Sequence, residues 1–374
     1  MQRGTIYRQR NAWLVRYWDE QIIDGERRRV RVAKKLAAVS PEYPSKRSVL
    51  LLAEKILAPI NAGLLQPESS LLVLKFIELY YLPHVKRELR PSTYKDYSKD
   101  IFEKHLRVRL RDIRLRDFRT VHAQRMLRDI PHIGHTTLLR VKSFLSGVFK
   151  HALREGFLDG YNPIQNVSVP GRREKFQREL YTMSEIEEIA NAVAKADMKA
   201  FAVISVAAFA GLRLSELRGL RWNDYDGDTL RVSRSVWRTH VGPTKTASSF
   251  GTVPVLPILK KVLDEHRARV NGGEGSYIFA GEKTGAPLNL ANLARRVIKP
   301  ALIGNEGQRL KWKGWHAFRA SLATNLYSCG VSPKIIQSIL RHSDIGTTLD
   351  FYVQTPDNEA RAALQKIEDL LKAI

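Results

Sequence analysis

Cysteine is nearly missing: Cys329 is the one thiol in 374 residues. That excludes an internal disulfide and any cysteine-based zinc finger or iron–sulfur centre, and it fits a reducing compartment. Long apolar runs are missing too. Ala200 to Leu212, broken only by Ser205, spans about 13 residues where a bilayer needs roughly 20. Met1-Gln2-Arg3-Gly4-Thr5 has no apolar signal stretch. The expectation is therefore a cytoplasmic, nucleoid-associated protein with no membrane partner. Gly-x-x-x-x-Gly-Lys-Ser/Thr and Gly-x-Gly-x-x-Gly loops are absent, so nucleotide-driven chemistry lacks its usual phosphate cradle. His-Glu-x-x-His is absent as well. His132 and His135 stand in a Gly-containing loop without acidic or cysteine neighbours, and read as surface rather than metal ligands. No cofactor and no metal are expected.

Acidic residues are in short supply. Asp and Glu number 38 against 62 Lys and Arg, a net charge of +24. With 44% hydrophobic residues the chain is not a disordered basic tail, and the charge favours a polyanionic partner. The excess is spread out. Residues 1–70 hold 13 basic and 7 acidic residues, 71–170 hold 19 and 10, and 171–374 hold 30 and 21. Every segment has charge to meet a phosphate backbone, which points to nucleic acid.

At about 150 residues per domain the length allows two or three domains. The patterning predicts three, with boundaries at 1–66, 70–169 and 176–374. In the first, Thr5–Arg8, Trp13–Trp18 and Arg28–Val32 alternate as strands, and a helix capped by Ser45 follows through Ile60. Arg8, Arg16, Arg29 and Arg31 lie in or beside that sheet. They read either as DNA contacts or as a solvated face. The second segment predicts helices over Leu71–Val85, Thr93–His105 (capped by Ser92), Asp117–Asp129 and Thr136–Glu155. The run Arg107 to Arg116 alternates basic and mostly apolar residues, and fits a phosphate-facing edge or a solvated one equally. Pro170 to Lys175 reads as a linker. Thr182-Met183-Ser184-Glu185 then fits a capping box that opens the third segment.

Four places in that segment carry chemistry. An apolar helix ends in Ala210-Gly211-Leu212-Arg213-Leu214-Ser215-Glu216-Leu217. An arginine emerging there needs an anionic partner, and Glu216 is placed to orient it. Lys245, between Thr244 and Thr246, is predicted at a hairpin tip between strands Leu230–Arg238 and Gly251–Val255. Trp315-His316-Ala317-Phe318-Arg319 sets His316 and Arg319 one turn apart on a helix face. Leu340-Arg341-His342-Ser343-Asp344 is followed ten residues after His342 by Tyr352, which alone reads as a packed aromatic beside Phe351.

Taken together, the Arg, Lys, His-x-x-Arg, His and Tyr set resembles the tyrosine recombinase (phage-type integrase) family, as do the Ala-Gly-Leu-Arg-x-x-Glu-Leu and His-Ser-Asp-Ile-x-Thr-Thr-Leu-x-x-Tyr contexts. The resemblance runs through motifs from about Leu180 to Gln354, and more loosely over 71–170. Three departures stand out: Arg341 replaces the glycine usual before the second histidine, Phe318 stands where leucine is common, and Ala320-Ser321 follows Arg319 where His-Thr or His-Ser is frequent.

The resemblance implies a mainly α fold with small antiparallel sheets. An N-terminal three-stranded sheet plus helix would read arm-type DNA, a helical domain would bind the core site, and a mixed, mostly helical domain would hold catalysis. It implies a site-specific recombinase working through a 3′-phosphotyrosine. Tyr352 would be the nucleophile, His316 its base, Arg213 and Arg319 the phosphate clamp, His342 a further donor, and Lys245 the acid for the departing 5′-oxygen. It implies double-stranded DNA, with core and arm sites, as substrate. A homotetramer on DNA is implied, with DNA-bending or directionality factors as partners, and a tail of Ala363, Leu364, Ile367, Leu370 and Leu371 that docks on a neighbour or on its own domain. The alternatives are a resolvase of replicon dimers with the same chemistry, and a DNA-binding regulator that has lost cleavage.

Overall fold

The computed structural model describes residues 1–23, 25–63, 66–172, 179–244, 246–303, 310–344 and 346. The chain divides into two compact units, Met1–Lys175 and Phe176–Ile374.

In the first unit β1 (Thr5–Gln9), β2 (Ala12–Ile23) and β3 (Glu26–Ala38) form an antiparallel meander in that order. The strands run longer than the sequence pattern predicts. Period-two alternation sends Trp13, Val15 and Tyr17 to one face. There they meet Ile6, Val49, Ala53 and Leu57 in a small core, the last two from the Leu50–Asn61 helix. The same face of β2 continues as Asp19 and Gln21, which are polar yet buried. Their partners explain it. Asp19 takes Arg116 Nη1 at 3.2 Å, Gln21 Nε2 donates to Asp19 at 2.8 Å, and the Ile22 amide donates to Ser70 Oγ at 2.9 Å.

The rest of this unit has its own core, built on helices over 73–88 and 91–106, Thr120–Asp129 and His135–Arg154. Two segments, Ile77–Tyr81 and Asp96–Leu106, widen to π-helical geometry. Ser92 is not the cap expected of it. Pro91 takes the first helical position, where its missing N–H costs nothing, so Arg90 is the capping residue. The third helix starts at Thr120 rather than Asp117, after one 3-10 turn over Leu115–Asp117. Within the alternating run, Leu110 and Leu115 enter the core, Arg111 is exposed, and the other four arginines turn to protein partners. Arg107 pairs with Glu78 and Glu103, Arg109 with the His105 carbonyl, Arg114 with the Ser70 carbonyl and Arg116 with Asp19.

The second unit is assembled around the Met198–Phe209 helix, whose Ala200, Ala202, Val203, Ile204, Val206, Ala207 and Ala208 are all buried. This is the longest apolar run of the sequence, and its apolarity serves enclosure. The helices Met183–Ala196, Pro257–Arg269 and Trp315–Ser328 pack around it. Among the described residues no helix is long and apolar enough to cross a membrane. The capping box at Thr182 forms, with the Glu185 amide donating to Thr182 Oγ1 and the Thr182 amide to the Glu185 carboxylate.

The expected strand Leu230–Arg238 is two strands. β4 (Thr229–Val232) pairs with β7 (Gly251–Pro254), and β5 (Arg234–Trp237) pairs with β6 (His240–Pro243). The β5–β6 hairpin turns at Arg238–Thr239, with Arg238 at φ 53, and Lys245, expected at a hairpin tip, lies outside the described residues.

Candidate active site

Gly211 closes the central helix region at φ +57, and a Cβ there would stand 2.8 Å from Leu340 Cδ2. The left-handed backbone favours glycine, and any side chain would have to push Leu340 aside. The carbonyl of Gly211 accepts a hydrogen bond from Arg319 Nη1, and the Leu340 carbonyl accepts from Nη2. Arg319 is thus locked by two backbone oxygens on an otherwise buried stretch of the Trp315–Ser328 helix. Burial, helped by the nearby Arg213 charge, pulls its pKa down to about 9, which leaves it protonated at neutral pH.

Two residues beyond Gly211, Arg213 opens the short Leu214–Leu217 helix. Glu216 folds back to accept the Arg213 amide at 3.0 Å and Arg213 Nη1 at 2.7 Å. Arg213 also donates to Ser249 Oγ at 2.8 Å and to the Arg341 carbonyl at 3.4 Å. The oxygen that accepts the Arg213 amide, Glu216 Oε2, also accepts Arg341 Nη2 at 3.0 Å. Burial pushes Glu216 up, but the hydrogen bonds from Arg213 and the Arg341 and Arg213 charges outweigh it and hold the carboxyl below its ordinary value.

Three guanidiniums therefore gather around one carboxylate, two of them bonded to it, an excess of two positive charges in a mostly buried cluster. Arg213 is its most accessible member, with 22% of its side chain exposed, while Arg319 and Arg341 stand at 6% overall. His342 follows Arg341 directly and is buried, its carbonyl held by Gln337 Nε2 at 3.1 Å. His316 is exposed, one turn before Arg319 on the same helix. Lys245 and Tyr352 lie outside the described residues, as does the 359–374 tail. The cluster thus joins Arg213, Glu216 and Arg319 with the turn that carries His342.

The departures from the family pattern have local reasons. Phe318 stacks on Tyr181 at 4.5 Å beside Trp312 and Trp315, filling an aromatic cluster. Ser321 Oγ accepts the Tyr181 amide at 2.7 Å. Sequence reasoning missed Ser249, which is fully buried and bonded to both Arg213 and Thr246. It also missed where the Arg341 side chain goes.

In the first unit Arg16, Arg29 and Arg31 share the open face of the sheet with Tyr7 and Trp18, because Trp18 lies opposite Arg31 and Glu20 opposite Arg29. Arg16 stacks over Tyr7 at 4.7 Å, and Arg29 and Arg31 flank Trp18 at 5.5 and 6.0 Å. Arg8 does not join them. It lies opposite Trp13, on the side that the helix covers, exposed at the strand end. Among the described residues no group of three His, Cys, Asp or Glu side chains is placed to hold a metal, and His135 bonds the Pro170 carbonyl instead.

Comparison with known proteins bears on this arrangement. Residues 179–359 match the model of the phage integrase family, and residues 74–130 match that of the phage integrase N-terminal SAM-like domain. A tyrosine recombinase XerC-like protein of Caldanaerobacter subterraneus subsp. tengcongensis is 27% identical over 320 residues, covering 76% of this chain and 80% of the relative. Among solved structures, the Tn1549 transposon integrase in complex with a circular intermediate DNA matches with a TM-score of 0.65 at 19% identity, over 80% of this chain and 100% of that one. A lambda integrase tetramer bound to a Holliday junction matches with a TM-score of 0.57 at 20% identity, over 91% and 95%. The chain belongs to the phage integrase family, the tyrosine recombinases, which are DNA strand-transferring enzymes.

Proposed function

We propose that this protein is a site-specific integrase that cuts and rejoins DNA through a covalent 3′-phosphotyrosine, integrating or excising a mobile element. The observation that carries this is the cluster's excess of two positive charges beside its most accessible guanidinium, Arg213. A guanidinium has five N–H donors. Arg319 commits one hydrogen from each Nη to a carbonyl, and Arg213 commits three in all, so both retain donors for a phosphate.

In this reading the Tyr352 hydroxyl oxygen attacks phosphorus and the bond to the 5′-oxygen breaks. Phosphodiester energy is kept in the new phosphotyrosine, so no nucleotide is consumed. A phenol with a pKa near 10 needs a base, and His316 takes that proton. Negative charge gathers on the non-bridging oxygens, where Arg213 and Arg319 stabilise it and His342 adds a hydrogen bond. Lys245 gives a proton to the departing 5′-oxygen. Rejoining reverses these steps on a partner strand. The fold shared with the lambda integrase tetramer on a Holliday junction supports a homotetramer on DNA as the working assembly. Core DNA would meet the helical and catalytic parts, and arm DNA the sheet face of Arg16, Trp18, Arg29 and Arg31.

A suicide substrate nicked near the cleavage site tests this reading. The wild type should leave a protein–DNA adduct that survives a denaturing gel, and Tyr352→Phe should keep the footprint without the adduct. No adduct from the wild type would refute recombinase function, and an adduct from Tyr352→Phe would refute the nucleophile. Plasmids carrying the sites on two replicons or repeated on one then separate integration from resolution.

A further inference from the structure

Arg341 combines two unfavourable features at one position. Its backbone is left-handed, at φ 55 and ψ 46, where a side chain is strained and glycine is at ease. Its guanidinium is buried, with Nη2 on Glu216 at 3.0 Å, Nη1 on the Ile339 carbonyl at 3.3 Å, and Nε without a hydrogen-bond partner among the described residues. Burial and the Arg213 charge lower its pKa against the pull of Glu216. Glycine would close the same helix end with neither strain nor a buried charge.

What Arg341 touches gives the reason. Its side chain holds one oxygen of Glu216, whose other oxygen holds Arg213 Nη1 at 2.7 Å. Its own carbonyl accepts from Arg213 Nη2 at 3.4 Å. One residue thus grips Arg213 twice, through a carboxylate and through its backbone. The preceding carbonyl, Leu340, holds Arg319. Without the Arg341 side chain, Glu216 would be neutralised by Arg213 alone, and the excess charge of the cluster would fall from two to one.

We propose that Arg341 is a positioning residue for strand transfer: it clamps Glu216 so that Arg213 is held at a fixed angle, and it keeps the cluster at two excess positive charges. This rests on the reading of Arg213 as a phosphate clamp. Strained backbone held in place by its surroundings is a mark of functional sites. A misplaced group at a reacting centre costs about 10- to 100-fold in rate.

The experiment uses the full chain with the nicked suicide substrate. It compares single-turnover adduct formation at saturating enzyme, core-site affinity and melting temperature for wild type, Arg341→Gly, Arg341→Asn and Arg341→Lys. Glycine relieves the backbone and asparagine tolerates it. Both should melt near the wild type and bind the core site with little change, yet form adduct about 10- to 100-fold more slowly. Arg341→Lys, which keeps a charged donor for Glu216, should recover most of that rate. Wild-type cleavage by Arg341→Gly would overturn the proposal. So would rate, affinity and melting falling together, or failure of both the Gly and Asn variants to fold, since each marks a merely structural arginine. Absence of adduct from the wild type would instead refute the recombinase reading itself.

Discussion

Replacing Glu216 with glutamine changes one atom and removes the cluster's single negative charge. The wild-type carboxylate is 1% exposed and accepts three hydrogen bonds, from the Arg213 amide at 3.0 Å, Arg213 Nη1 at 2.7 Å and Arg341 Nη2 at 3.0 Å. Glutamine keeps one acceptor oxygen and turns an NH₂ group toward a guanidinium. Removing one partner of a buried ion pair costs about 3–5 kcal/mol. In a unit of this size 1 kcal/mol moves the melting temperature by about 2–4 °C, so the second unit should melt about 6–20 °C lower. Calorimetry on the full chain at pH 7 measures this. Three unopposed guanidiniums would remain, so core-site DNA or sulfate should restore a larger part of the loss in the variant than it adds to the wild type. The pH dependence has a definite sign. Because the folded Glu216 carboxyl lies below its ordinary value, its stabilisation is complete above about 4.3 and disappears as pH falls through the lower folded value. The glutamine variant should lack that acid loss. A melting shift under about 2 °C, with the acid limb unchanged, would refute the role given to this carboxylate.

Arg213→Lys keeps the charge but loses the planar fork that serves Glu216, Ser249 and a phosphate together. Adduct formation should fall by about 100-fold or more, with core-site binding only modestly weaker, and a near-wild-type rate would make Arg213 structural. Substituting Arg16, Arg29 and Arg31 by alanine should erase protection of flanking DNA in footprinting, leave core-site cleavage intact, and reduce the salt slope of flanking-site binding by about 3. An unchanged flanking footprint would show that this face does not meet DNA.

Much of this was readable wherever a pattern has a fixed period. Trp13, Val15 and Tyr17 alternate and are buried together, and the apolar spacing of 136–155 marks the His135–Arg154 helix to within a residue. Thr182 and Glu185 announce their capping box by spacing alone. Long-range pairings carry no such signal. Asp19 and Arg116 are 97 residues apart, Arg213 and Ser249 are 36 apart, and an isolated serine has nothing in its neighbourhood to single it out. Arg341 was visible as an oddity, but neither its left-handed backbone nor its reach to Glu216 is encoded locally. The break at Ser233 was hidden because β4 and β5 form one uninterrupted β-prone run, and only their separate partners divide it. Lys245 and Tyr352, read by motif, lie outside the described residues.

The enclosed Met198–Phe209 helix also sets a schedule for synthesis. The helix before it is available early, but the Pro257–Arg269 and Trp315–Ser328 helices that complete its cover come later in the chain. At roughly 5–20 residues per second, the last of them follows the central helix from the ribosome by about 6–24 seconds. For that interval the apolar segment lacks two of its three covering helices. The same late helix brings Arg319 to the Gly211 carbonyl. Closing the core and placing Arg319 thus depend on the same late helix, so in the proposed mechanism a half-made chain has basic surface but lacks half of its phosphate clamp.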